Sequence, residues 1–146
     1  MTLFINAHVE AAQKVAAKYD IPASVLLAQS AIESQWGQKA PGNAYFGIKG
    51  KAPGGASVNI ATHGDTAQGH VAIQDNFRAY SDYDEAAEDY GSVITTNKNF
   101  AGALLHRKER DKFIDAIAKK YATDPKYASK VKSVIKTNHL DQYDQK

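Results

Sequence analysis

Residues 31–50 read AIESQWGQKAPGNAYFGIKG. The stretch opens as the end of an apolar helix and passes at Trp36-Gly37 into Gly, Pro and Asn. Glu33 falls in the last helical turn. That is a poor place for a carboxylate, because the final carbonyls of a helix carry partial negative charge and favour cations. Ser30, Gln29 and Leu26 stand three, four and seven residues before it, so helical geometry puts Glu33 on a stripe with one apolar and two small polar residues. Burial and the helix dipole would both raise its pKa. A carboxyl protonated at neutral pH is what a general acid requires. An ordinary surface Glu at a helix end fits the same spacing, so spacing alone leaves the role open.

Outward from this stretch the pattern is helical on both sides. Before it, Ile5, Val9, Ala12, Val15, Ala16 and Tyr19 recur at helical spacing over about 4–19. Asp20 and Pro22 then punctuate, Asp20 as a candidate cap and Pro22 as a first-turn residue. The second helix is expected to reach about Gln35, with Gly37 ending it. After the Gly- and Pro-rich segment 37–56, SVNIAT and HVAIQDNFRAY have strand character and are separated by HGDTAQG, which reads as a turn. Helices resume at Asp82, with Tyr83, Ala86, Ala87, Tyr90, Val93 and Ile94 on one face. Phe113, Ile114, Ile117, Ala118 and Tyr121 line another. A last helix has Tyr127, Val131, Val134 and Ile135 inward, with Thr123 or Asp124 as its cap and Pro125 in its first turn. The polar tail DQYDQK is expected to fray. The sum is an α+β chain, mostly α-helical, with a small β lobe at about 57–80 after the second helix, in a single domain spanning 1–146.

Bulk properties narrow the function. Hydrophobic residues make up 43% and charged residues 23% of the 146, ordinary for a globular chain and unlike a disordered one. Basic and acidic residues number 18 and 16, a net charge of +2, which lacks the basic excess of a nucleic-acid binder. Cysteine is absent, so disulfides, a thiolate nucleophile and a Cys-based zinc site are excluded. The N-terminus has no basic region followed by an apolar one, so a signal peptide is not expected. No apolar run approaches the ~20 residues that span a bilayer.

Three segments together carry a resemblance. ESQWGQKAPGNAYFGIKG preceded by IPASVLLAQSAI, then FRAYSDYDEAAEDY, then YATDPKYASKV, run in order from Ile21 to about Val131. This set closely resembles the glucosaminidase domain of glycoside hydrolase family 73, bacterial and phage enzymes that cut peptidoglycan glycan chains. The ESxWG motif alone also occurs in related lysozyme-like folds; the specificity lies in the combination. The resemblance implies a lysozyme-like fold with a cleft between the helices and the β lobe. It implies that Glu33 is the catalytic acid that protonates the departing glycosidic oxygen. It places Tyr121 beside that acid, although Tyr121 also continues a core stripe. Asn43, Phe46 and Gly47 match the loop lining the sugar groove, and Trp36 and Tyr80 are further groove candidates that simple packing explains equally well. Tyr45 departs from the resemblance, since the family often has an aliphatic residue there.

The second catalytic group is harder to place. A two-carboxylate glycosidase needs its partner ~5–5.5 Å from the acid for retention or ~6.5–9.5 Å for inversion. In many family members a Glu in the β lobe supplies it, yet residues 57–76 contain no Glu and only Asp65 and Asp75. Asp65, in the expected turn, is the candidate base or charge stabiliser. Otherwise the substrate's own 2-acetamido group could serve, or Tyr121 and polar groups could position water. His63 and His70 flank Asp65 at a spacing that fits no zinc motif, so no metal or other cofactor is expected. The lysines of the C-terminal half read as a solvated helix face, or as an attraction to anionic wall polymers.

The expected activity is hydrolysis of the β-1,4 bond that follows N-acetylglucosamine in peptidoglycan, by a monomer acting on glycan strands of the cell wall, without nucleic acid. The alternatives are an N-acetylmuramidase or lytic transglycosylase on the same polymer, a non-catalytic peptidoglycan-binding module, and a nucleic-acid-binding helical protein. A chain without cysteine or signal peptide suits a phage endolysin held in the host cytoplasm before release. An effector, a virion component and an excised domain delivered by another route suit it too.

Overall fold

The computed structural model describes residues 2–66 and 69–144, with the side chains of 62–73 outside that description. Helix α1, Thr2–Tyr19, buries Phe4, Ile5, Ala12, Val15 and Ala16, one stripe at helical spacing. Helix α2, Ala23–Glu33, is buried over nine consecutive residues from Ala23 to Ala31. A helix buried all round lies at the centre of its fold, and α1, α6 and the C-terminal turn pack around it. Its polar residues are therefore paired. The Ser30 hydroxyl donates to the Leu27 carbonyl at 2.9 Å and lies 2.8 Å from the Tyr83 hydroxyl. Gln29 bonds the hydroxyls of Tyr90 and Tyr127.

Strands β1, Ser57–Thr66, and β2, Gly69–Arg78, form an antiparallel hairpin in which Val58 faces Phe77 and Thr66 faces Gly69. A two-stranded hairpin alone is marginal; a bridge between Lys49 and Phe77 fastens it to the preceding loop. The expected turn HGDTAQG is shorter than its composition suggests. Pairing continues outward through His63, Gly64, Asp65 and Thr66, because each added pair satisfies backbone groups that a loop would leave to water. Asp65 accordingly lies on a strand, opposite His70.

Helix α3, Tyr83–Thr96, starts where Asp82 accepts from the Glu85 N–H at 2.8 Å and carries Asp84 and Glu85 in its first turn, both favoured at a helix N-terminus. A turn, Lys98–Phe100, and a short helix α4, Ala101–Leu104, follow and tuck Phe100 and Ala103 into the core. Helices α5, Arg110–Tyr121, and α6, Tyr127–Thr137, complete the helical body, followed by a turn at Leu140–Tyr143. The fold is mostly helical with one small antiparallel lobe. Among the described residues no helix is long and apolar enough to cross a membrane.

Three expectations about helix starts and the tail are corrected. Asp20 does not cap α2: it has a left-handed φ of 54° and bonds Lys108 at 2.7 Å. The cap comes from the other end of the chain. Asp144 accepts from the Ser24 N–H at 2.7 Å and from the Ser24 hydroxyl at 2.6 Å, with the Arg110 guanidinium at 3.5 Å. The tail up to Asp144 is therefore docked rather than frayed. A carboxylate at a helix N-terminus gains both charge-assisted hydrogen bonds and the dipole, and the fully buried Leu140 anchors the same segment. At α6, Asp124 caps the turn holding Pro125, accepting from the Lys126 N–H at 2.8 Å, and the helix begins only at Tyr127.

Candidate active site

Helix α2 ends at Glu33, two residues short of expectation. The Trp36 N–H donates to the Ala31 carbonyl at 2.8 Å and the Gln35 N–H to the Ile32 carbonyl at 3.4 Å. This is the paired bond set of a Schellman C-cap. Gln35, Trp36 and Gly37 all take left-handed φ, at 50°, 58° and 84°. The buried Ser34 locks the turn: its hydroxyl donates to the Ser30 carbonyl at 2.6 Å and accepts from the Gly37 N–H at 2.9 Å. The chain thus reverses immediately after Glu33 and returns as the wall of a cleft.

That cleft has a volume of about 830 Å³. Glu33 opens into it; one wall is built from residues between Gln35 and Gly47 and the other from Ile60, Ala61 and Phe77 of the hairpin. Burial pushes the Glu33 carboxyl up to about 7, and the positive charge of Lys130 on α6 opposes that only in part. Gly47, at a left-handed φ of 62°, faces the carboxylate. A Cβ there would stand 3.4 Å from the Glu33 Cδ and 3.5 Å from both oxygens. Glycine satisfies the backbone angle and leaves that side of the carboxyl uncovered.

Tyr121 ends α5 close enough for the charge of Glu33 to raise its pKa, though burial is the larger cause. Its hydroxyl donates to the Phe46 carbonyl, the peptide oxygen directly before Gly47. Its ring stacks on Tyr127 at 5.9 Å and 12°. The packed ring and the nearby hydroxyl therefore coexist in one residue.

The other expected groove residues are not among those lining the cleft. Trp36 packs edge-on against Phe4 at 5.9 Å. Phe46 is 1% exposed and stacked on Tyr90 at 4.6 Å. Tyr80 is buried and donates its hydroxyl to Asp89, which also pairs with Arg78 at 3.1 Å. Asn43 has a left-handed φ of 56° and donates from Nδ2 to the Tyr80 carbonyl at 3.0 Å. The three rings pack inward, because an aromatic side chain removes more apolar area that way, and Asn43 ties the loop to Tyr80 through its side-chain amide. Asp65 lies on β1 beyond the cleft-lining Ala61, with its side chain outside the described set, as are those of His63 and His70. Asp75 is exposed and held by Lys49 at 3.1 Å. Among the described residues no group of three or more His, Cys, Asp or Glu is placed to hold a metal.

Residues that the sequence did not single out as site residues complete the surroundings. Tyr45, Phe77 and Ile60 supply apolar lining, and Gln38 and Lys39 supply polar lining. Lys130 and Tyr127, on a helix nearly a hundred residues later, couple to Glu33 electrostatically. Gln29 had a findable signal, one helical turn before Glu33.

The family model described as glucosaminidase, mannosyl-glycoprotein endo-beta-N-acetylglucosaminidase, matches residues 9–140. An autolysin of Enterococcus faecalis is 35% identical over 97% of the chain, which spans 20% of that protein. A peptidoglycan hydrolase FlgJ of Vibrio parahaemolyticus is 36% identical over 90% of the chain, which spans 45% of it. The chain thus spans from about a fifth to about half the length of these two curated relatives. Among solved structures, the catalytic domain of the autolysin Auto from Listeria monocytogenes superposes with a TM-score of 0.82 at 32% identity, over 98% of this chain and 86% of that one. A peptidoglycan hydrolase mutant from Sphingomonas sp. A1 gives 0.83 at 29% identity, over 98% and 97%. With the family model matched over residues 9–140 and both superpositions running over almost the whole chain, the chain belongs to the glucosaminidase family, glycoside hydrolase family 73.

Proposed function

We propose that the chain is a glycoside hydrolase that cuts the β-1,4 bond following N-acetylglucosamine in the glycan strands of bacterial peptidoglycan. The observation that carries this reading is Glu33, a carboxyl whose pKa is raised to about 7 by burial, opening into an 830 Å³ cleft opposite Gly47. An acid poised near neutrality can bind its proton in the resting enzyme and release it to a leaving-group oxygen. The names of the relatives, autolysin and peptidoglycan hydrolase, support the same polymer. The mixed lining of Gln38, Lys39, Tyr45 and Phe77 suits a sugar, with polar groups for hydroxyls and amides and apolar surface for ring faces.

In this mechanism Glu33 protonates the glycosidic oxygen as the C1–O bond breaks. Asp65, brought over from the hairpin, stabilises the positive charge at C1 or takes a proton from the attacking water. Tyr121 assists through its phenol oxygen, which retains a free lone pair while its hydrogen is given to Phe46. Water adds at C1, and its second proton restores Glu33 or leaves through Asp65.

A lytic transglycosylase is the second reading. It needs one catalytic acid, and among the described side chains Glu33 alone of the carboxylates lines the cleft. Mass spectrometry of fragments released from purified peptidoglycan decides between them, with wild type, Glu33→Gln and Asp65→Asn compared. Reducing N-acetylglucosamine ends that vanish in both variants support the two-carboxylate hydrolase. Persistence in Asp65→Asn moves the second role to the substrate's acetamido group. Anhydro-muramic ends make the enzyme a transglycosylase, and activity in Glu33→Gln refutes the assignment of the acid.

A further inference from the structure

A chain of buried polar groups runs beneath Glu33 and belongs to no part of the mechanism above. Tyr90, fully buried, donates its hydroxyl to the Gln29 side-chain oxygen. Gln29, 1% exposed, donates from Nε2 to the Tyr127 hydroxyl oxygen at 3.1 Å. Tyr127 is 4% exposed, opens α6 and stacks on Tyr121. Three polar side chains on three helices, buried deeply enough that each must be satisfied, converge on the face of α2 that carries the acid. Gln29 and Glu33 are four residues apart on one helix, so their side chains are neighbours.

The hydrogen count gives this chain a direction. The Gln29 amide fixes its orientation, because its oxygen is taken by Tyr90 and its nitrogen faces Tyr127. Tyr127 accepts on its oxygen, so its own O–H must point elsewhere, and among the described residues it has no acceptor. Tyr121, the other phenol near the acid, is differently committed: its O–H is given to the Phe46 carbonyl. Both phenols feel the charge of Glu33, after the larger effect of burial. The two stacked tyrosines are therefore not equivalent. One secures the Gly47 loop; the other has a hydrogen to give.

We infer that Tyr127, oriented by Gln29, is a positioning residue that donates a hydrogen bond to the Glu33 carboxylate as it forms during proton transfer to the leaving oxygen. No covalent step is added: the proton still passes from Glu33 to the glycosidic oxygen, and the phenol keeps its own. Protonated Glu33 needs no such donor, so the interaction strengthens only as charge develops, the condition for accelerating the chemical step. The groups facing Glu33 divide accordingly. Lys130 and Tyr127 couple to it from α6 and Tyr121 from α5, while Lys39 and Tyr45 line the same cleft. Lys130 acts through its field alone, being held by Asp124 at 2.6 Å.

The inference rests on the assignment of Glu33 as the acid, and the test separates the two. Rates on soluble glycan fragments are measured against pH for wild type, Tyr127→Phe, Tyr90→Phe and Glu33→Gln. Tyr127→Phe keeps the stacked ring and removes only the hydroxyl. Its plateau kcat is expected to fall about tenfold with KM unchanged, and its alkaline limb to move up by about half to one pH unit, because losing a donor to the carboxylate raises the carboxyl's pKa. Tyr90→Phe removes the partner of the Gln29 oxygen but leaves the Tyr127 hydroxyl in place, and is expected to lower Tm and to move the limb less than Tyr127→Phe does. A Tyr127→Phe limb that stays at the wild-type pH, whatever the rate, overturns the inference. If that variant fails to fold, Gln29→Met is used, with a smaller shift in the same direction expected and an unmoved limb equally decisive. Full activity in Glu33→Gln would instead refute the acid assignment.

Discussion

Replacing Glu33 by Gln should make the protein more stable as well as inactive, and only above a definite pH. The unfolded chain ionises this carboxyl near its ordinary value of 4.5, while in the folded protein burial raises it to about 7. The folded state therefore holds the proton more tightly. Below about pH 4.5 both states are protonated and Glu33 imposes no cost. Between 4.5 and 7 the unfolded chain releases its proton first, so folding loses ground; above 7 the loss is complete. The span of about 2.5 pH units corresponds to at most about 3 kcal/mol, with cleft water and mobile side chains reducing it. Gln is neutral at every pH and avoids the loss. Thermal unfolding of both proteins from pH 4 to pH 9 measures it. At about 2–4 °C per kcal/mol for a chain of this size, Glu33→Gln should melt up to about 10 °C higher at pH 8 and at the same temperature at pH 4. A difference in Tm that does not change with pH would refute the claim that burial holds this acid protonated. The same titration predicts that activity falls above about pH 7, where Glu33 no longer carries its proton.

Gly47→Ala is expected to lower kcat at least tenfold and stability by about 1 kcal/mol, from left-handed backbone strain and a methyl group 3.4 Å from the Glu33 carboxyl carbon; wild-type kinetics would show that the uncovered side is unimportant. Asp144→Ala removes the carboxylate that caps α2 and should cost about 1–2 kcal/mol in urea unfolding, with no loss if the tail docks through Leu140 alone. Asp89→Ala leaves Arg78 and Tyr80 without their shared partner and should cost about 3 kcal/mol, read as a fall in denaturation midpoint at constant m-value; a change under about 1 kcal/mol would show that water replaces the carboxylate.

Much of the architecture was legible because helical burial leaves a period. The stripes of α1, α3, α5 and α6 were visible in spacing, and α2 stood out as apolar throughout. Glu33 was legible as an anomaly, a carboxylate where a cation belongs, and three motifs in order turned that anomaly into a family. What escaped detection depends on partners distant in sequence. The cap of α2 lies 120 residues away, while the local candidate Asp20 was drawn off by Lys108. The hairpin outran its turn signal because backbone pairing, which any residue but proline can join, carries Gly64 and Asp65 into the strand. Trp36, Phe46 and Tyr80 were ambiguous for a chemical reason: the same ring can stack on a sugar or fill a core, and only the direction of the backbone decides. Three left-handed residues in succession at 35–37 set that direction, and two of them are not glycine.

The Asp144 clamp bears on how the enzyme can be handled. The helix it caps is 11 residues long, about 16 Å at 1.5 Å per residue, and the acid sits at its far end. A reporter, affinity tag or targeting module fused after residue 144 keeps the carboxylate against Ser24. One spliced in a few residues earlier, or a protease that trims the same few, loosens the helix that presents Glu33 without touching the cleft. Boundary choice at that end is therefore a choice about catalysis, and a shortened version that folds but works poorly need not have lost any residue that meets the sugar.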